Sequence, residues 1–174
     1  MKKLLTLCVF VLFSVCALAQ VTSVNPEASI RQIATLLDGQ GDREMGSGII
    51  HWTTRVGEAN GCILQLHVHT TMKLRDKWDK QETIRFPIGA LDRFSISADA
   101  RSLSIQCREH EKCVQYTTQC ERMGDNGTLV DCSESHRQSL AYLYINADQD
   151  NGAALLQSFE KAIKQCRAPQ LAGF

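Results

Sequence analysis

Three histidines carry the sharpest chemical suggestion in the chain. His67 and His69 stand two apart in a stretch of strict alternation, so both side chains leave one face of a strand. His51 lies on the matching polar face of the strand before it. In an antiparallel hairpin that keeps both apolar faces together, the turn around Glu58–Gly61 sets His51 opposite either His67 or His69. Three neutral imidazoles gathered this way can bind zinc, copper or nickel, and a catalytic zinc keeps its fourth position open. One expectation is therefore a metal-binding protein or metallohydrolase using His51, His67 and His69. Against it, no carboxylate stands obviously behind the imidazoles, and Arg55 and Lys73 would repel a cation. The competing reading is a solvated sheet face shared with Gln65 and Thr71.

Other reactive types have weaker settings. His110 sits between Glu109 and Glu111 in a short loop, where carboxylates would raise its basicity. His136 lies near Ser133 and Ser135, but there is no G-x-S-x-G elbow around either serine. No phosphate-binding glycine loop and no usefully spaced pair of acids occurs. Lys73–Lys80 mixes basic and acidic residues around Trp78 and reads as a connector stapled to the core edge rather than a nucleic-acid patch. Asn126-Gly127-Thr128 fits a glycosylation pattern, but a tight turn explains the same Asn-Gly.

The first 19 residues look like a secretory signal peptide. Lys2 and Lys3 precede the apolar run Leu4–Val15, and Ala17-Leu18-Ala19 is a small-residue cleavage site before Gln20. The apolar run is short for a membrane span, and Phe13-Ser14-Val15 is a poor approach to Cys16 for lipidation. Cleavage would turn the net charge of zero into −2 by removing the two lysines. It would also leave six cysteines, at positions 62, 107, 113, 120, 132 and 166. An even count in an exported chain reads as a disulfide framework, and no C-x-x-C supports a redox or zinc role. Six cysteines allow 15 connectivities. Hairpin placement favours Cys107–Cys113 and Cys120–Cys132, and the ends of two apolar stripes favour Cys62–Cys166.

The elements that must position these residues follow from periodicity. Asn25-Pro26-Glu27 opens a helix with Ile30, Ile33, Ala34 and Leu37 as its stripe, ended by Gly39 and Gly41. Strands are expected at Gly48–Val56, Cys62–Leu74, Thr83–Pro87, Arg93–Ser97, Ser102–Cys107, Cys113–Glu121, Leu129–Cys132 and Gln138–Asn146. A last amphipathic helix, capped by Asp150 or Asn151, carries Leu155, Leu156, Phe159, Ala162, Ile163 and Cys166. The fold class is α+β, mainly antiparallel: a curled sheet of about seven strands, or a partly open barrel, with an N-terminal helix and a C-terminal capping helix. The organisation is a leader over 1–19, a helix and lead-in over 20–47, one β-rich domain over 48–166 and a tail over 167–174. The order is similar to the pleckstrin-homology-like superfold, seven strands capped by a helix, over roughly 48–166. That resemblance rests on element order and implies a fold, with no functional residue to transfer.

The balanced charge excludes a bulk electrostatic partner such as nucleic acid. The leading expectation is a secreted or periplasmic, disulfide-stabilised binding domain for a protein or small ligand, without a cofactor and without evident catalysis. Its concave surface is expected between the sheet and the C-terminal helix.

Overall fold

The computed structural model describes residues 26–45, 48–72, 78–123 and 128–168. The leader pattern, most of the Lys73–Lys80 connector and the Asn126-Gly127 turn lie outside the described residues. Helix α1 (Glu27–Leu37) buries the expected stripe of Ile30, Ile33, Ala34 and Leu37. Pro26 stands at its N-cap position, and no side-chain cap forms there.

The two glycines after α1 do not end the structure. The chain runs directly into strand β1 (Gly39–Met45), which pairs antiparallel with β2 (Gly48–Asn60). The Trp52 indole lies across β1, and a Cβ on Gly41 would stand 3.0 Å from its Cζ2. The helix does end just before these glycines, as expected, and they also leave room for the tryptophan ring across the strand that follows.

Strands β3 (Ile63–Met72), β4 (Trp78–Pro87), β5 (Leu91–Ile96), β6 (Ser102–Cys107), β7 (Val114–Met123), β8 (Leu129–Asp131), β9 (Glu134–Gln138) and β10 (Leu140–Tyr144) follow. Every pairing is antiparallel. The seven-stranded sheet runs β1-β2-β3-β4-β7-β8 with β9 also on β7, and the small sheet runs β10-β6-β5. The α+β, mostly antiparallel class is as expected, with no closed barrel among the described residues. Ten strands form among the described residues against the eight segments expected: β1 and β9 are additional, and β10 fills the segment expected over 138–146.

The chain passes from one sheet to the other at Ser139. Gln138 ends β9 in the large sheet, and Leu140 begins β10 in the small one. Ser139 O accepts from Cys107 N at 2.8 Å. The Cys107–Cys113 disulfide joins the end of β6 to the start of β7 at the same corner. The two sheets thus meet at one pinned apex and diverge from it.

The interior is apolar near that apex. Leu64, Leu66, Ile84, Phe86, Leu103, Ile105, Ala141 and Leu143 are buried together with the inner stripes of both helices. Each fully buried Leu, Ile or Phe contributes roughly 1.5–3 kcal/mol. Helix α2 (Gln149–Arg167) packs Leu155, Phe159, Ala162 and Ile163 onto this cluster. Its N-cap is Asp148 rather than Asp150 or Asn151, and the Asp148 carboxylate accepts from Asn151 N at 2.7 Å. All three expected disulfides are present: Cys62–Cys166, Cys107–Cys113 and Cys120–Cys132. No described helix is long and apolar enough to cross a membrane.

Candidate functional site

The three outer histidines take separate partners. The β2–β3 register places His51 opposite Thr71, Thr53 opposite His69 and Arg55 opposite His67. Neither expected pairing of His51 is formed. The chain turns at Gly61 and Cys62, later than the expected turn around Glu58–Gly61, and this carries His51 past both histidines; the bulge at Gly57 offsets the register by only one residue. His67 therefore lies four residues along β3 from the partner of His51, about 13 Å at the rise of a strand. His51 pairs with Asp42 on β1, and His69 Nε2 meets Asp79 Oδ1 at 2.8 Å. His67 rests over Gly57, with its Nδ1 3.2 Å from Thr83 Oγ1. Among the described residues, no group of three or more His, Cys, Asp or Glu side chains is placed to hold a metal ion.

The other sequence candidates also disperse. His110 is exposed in its disulfide-closed loop. Ser135 lies on the opposite face of β9 from His136 and donates to Tyr116 O at 3.2 Å. Ser133 Oγ accepts from Cys120 N at 3.3 Å. Beside α2 lies an open depression lined by Gly89, Asp92, Arg108, Glu109, Cys166 and Arg167. Its two guanidinium groups donate to the main-chain carbonyls of Gly89 and Leu91.

A better-formed cleft lies elsewhere, between the inner face of the large sheet and strand β10. It holds about 560 Å³ and is lined by Arg43, Trp78, Lys80, Glu82, Tyr116, His136, Tyr142 and Tyr144, among others. That volume is within the range of small-ligand sites. Alternation along β4 explains the floor: Ile84 and Phe86 face inward, so Trp78, Lys80 and Glu82 do too. The same parity brings Arg43 in from β1 and His136 in from β9, opposite Tyr116.

The side chains of the cleft hold one another. Lys80 Nζ pairs with Glu82 Oε1 at 2.7 Å, with the side chains only 28% and 14% exposed. Thr118 Oγ1 donates to Glu82 at 3.4 Å. The His136 ring stacks on Tyr116 with centroids 5.2 Å apart. Tyr144 stacks on Trp52 at 6.4 Å and carries the Arg43 guanidinium 5.7 Å above its ring. Burial, and then the Glu82 carboxylate, push the Tyr116 phenol up to about 12, while a backbone hydrogen bond from Tyr142 acts the other way.

Two features of the cleft are left open. Gln138 Nε2 donates to His136 Nε2 at 2.6 Å, which places the ring proton on Nδ1. That Nδ1 is shut off from solvent without a hydrogen bond, and the Glu134 carboxylate stands 3.5 Å away. Tyr142 is 68% exposed, a large ring that no packing uses. Sequence reasoning passed over Trp78 and Lys80 as a connector and assigned Glu82 to no element. Carrying the alternation of Ile84 and Phe86 back to residue 78 would have found them. Compared with known families, with characterised proteins and with solved structures, the chain matches none.

Proposed function

We propose that this chain is a binding domain whose ligand seats in the cleft between the large sheet and β10. The observation that carries the reading is the convergence there of Trp78, Tyr142 and Tyr144 on a polar floor. Aromatic walls with a few fixed polar groups are the usual make-up of a ligand site. The Lys80–Glu82 pair supports the same reading. A half-buried ion pair is a poor device for stability and a good one for orienting a polar ligand. Binding rather than catalysis is favoured because the charged groups are engaged with each other.

The domain is placed outside the cytoplasm, in the periplasm or the medium. Three disulfides in a small β-rich chain and the N-terminal leader pattern support this. The test of the binding reading is amide shift mapping of the oxidised chain against a panel of small polar solutes and short peptides. Shifts should concentrate on Lys80, Tyr116, His136 and Tyr142. Shifts confined to the outer histidine face, or none with any member of the panel, would reject it.

A further inference from the structure

We infer that the outer face of the large sheet carries an oxyanion site: a tetrahedral dianion, such as the terminal phosphate of a monoester, seats among Arg85, Lys112 and Arg137. The site lies on the opposite face of the sheet from the cleft and does not depend on what the cleft binds.

The register builds the site. Ile84 and Phe86 are buried, so Arg85 between them points outward from β4. Val114 and Tyr116 are buried likewise, and Gln115 points outward from β7. Arg85 pairs with Gln115, and Gln115 pairs with Arg137 on β9. Two arginines thus flank one glutamine, two strand spacings or about 10 Å apart at the backbone. Lys112 comes from the loop at the end of this row, one residue before Cys113. The Cys107–Cys113 disulfide closes that loop, and Cys113 N donates to Cys107 Sγ at 3.2 Å. Glu109 and His110 sit there at φ of 50° and 61°, left-handed backbone that non-glycine residues keep only where the surroundings enforce it. The third cation is therefore delivered by a fixed loop.

The charge is uncompensated. No carboxylate lines the pocket. Among the described residues Arg85, Lys112 and Arg137 form no ion pair, whereas Arg31, Arg55, Lys80 and Arg93 each meet an acid. Of the acids in the same loop, Glu109 lines the depression beside α2 and Glu111 lines neither hollow. Along the row, Glu58 stands beyond Gln65, two strands from Arg85. Like charges gathered across strands destabilise a sheet. A bound anion removes that repulsion, and arginine forks are the side chains best suited to hold one.

Size and shape define the ligand. The pocket holds about 230 Å³. That is below the ~300–1,000 Å³ of sites that enclose a whole small molecule, so it takes a single group. Two planar guanidinium forks and one ammonium match an ion with three terminal oxygens. A phosphate monoester supplies three, and a carboxylate only two. Arg85, Lys112 and Arg137 are all exposed, which leaves the fourth oxygen free to carry its ester substituent into solvent.

The test titrates the oxidised full chain at neutral pH and constant ionic strength with inorganic phosphate, phenyl phosphate, acetate and chloride. It follows the amides of Arg85, Lys112, Gln115 and Arg137. Saturable shifts with both phosphates, at least roughly tenfold tighter than with acetate, are expected. Arg85→Gln and Arg137→Gln should each weaken phosphate roughly tenfold, and Arg93→Gln, on the small sheet, should leave it unchanged. Lys112→Met, on an exposed loop, should also weaken it and carries the test if either strand variant fails to fold. Phosphatidylcholine vesicles with and without phosphatidic acid separate the sources of the phosphate. Sedimentation with the acidic vesicles, competed away by phenyl phosphate, supports the site with a lipid headgroup as source. Binding of phenyl phosphate without sedimentation supports it with a soluble ester. Shifts that do not saturate mark an adventitious ion only and overturn the proposal. Acetate binding as tightly as phosphate, or affinity unmoved in the folded charge variants, overturns it as well.

Discussion

At the scale of single residues, Gly57 is bound to His67. A Cβ at Gly57 would stand 2.3 Å from His67 Nε2, so the imidazole occupies the space a side chain would need. Gly57→Ala must displace that ring from Thr83 and should cost about 1–2 kcal/mol in denaturant unfolding. In a His67→Ala background the same change should cost far less, and a double-mutant cycle measures the difference. Tyr116 gives a prediction in pH. Burial holds its folded phenol up at about 12, above the ordinary tyrosine value of 10.0. The native state therefore holds the proton longer than the unfolded chain, and stability is present below pH 10 and falls as pH rises from 10 towards 12. The loss should be roughly 1–2 kcal/mol, less than the full shift, because solvent enters through the cleft. Comparing Tyr116→Phe with the natural chain isolates this slope from lysine titration, and the variant should lack it.

At the scale of elements, strands with one apolar and one wet face were legible. β3 shows its pattern in the row Leu64, Leu66, Val68 and Thr70, all buried. The helical stripes of α1 and α2 were equally plain. The elements that escaped share one property: they line the cleft. β4 was truncated because its inward positions at 78, 80 and 82 are Trp, Lys and Glu rather than aliphatic. β9 was missed because its inward residues are Glu134, His136 and Gln138. β1 looked like a helix stop because its inward residues are Gly39, Gly41 and Arg43. Polar residues facing an open interior erase the alternation on which strand assignment depends. The same cause hid the candidate site, whereas the histidine triad drew notice because strand alternation leaves open where the hairpin turns, and the turn at Gly61 and Cys62 comes later than Glu58–Gly61 suggests. The N-cap of α2 offers a local check. Asp148→Ala should lower stability by about 1 kcal/mol without moving any resonance of the cleft.

At the scale of the whole molecule, the three disulfides do unequal work. Cys62–Cys166 closes a loop with a sequence separation of 104, Cys120–Cys132 one of 12, and Cys107–Cys113 one of 6. By loop-closure entropy, replacing both cysteines of the first pair with serine should cost about 4–5 kcal/mol, and of the last about 2. Thermal unfolding of the paired variants should rank them in that order. The short bridge should nonetheless matter most for binding, since it pins the apex from which the sheets diverge. Loss of affinity beyond the change in folded fraction would show this. The chain has two tryptophans: Trp78 lines the cleft, and Trp52 is buried and stacks on Tyr144, which lines it. The intrinsic emission of this protein therefore has two sources, Trp78 watching the cleft and Trp52 the core, so a fluorescence change need not mean unfolding.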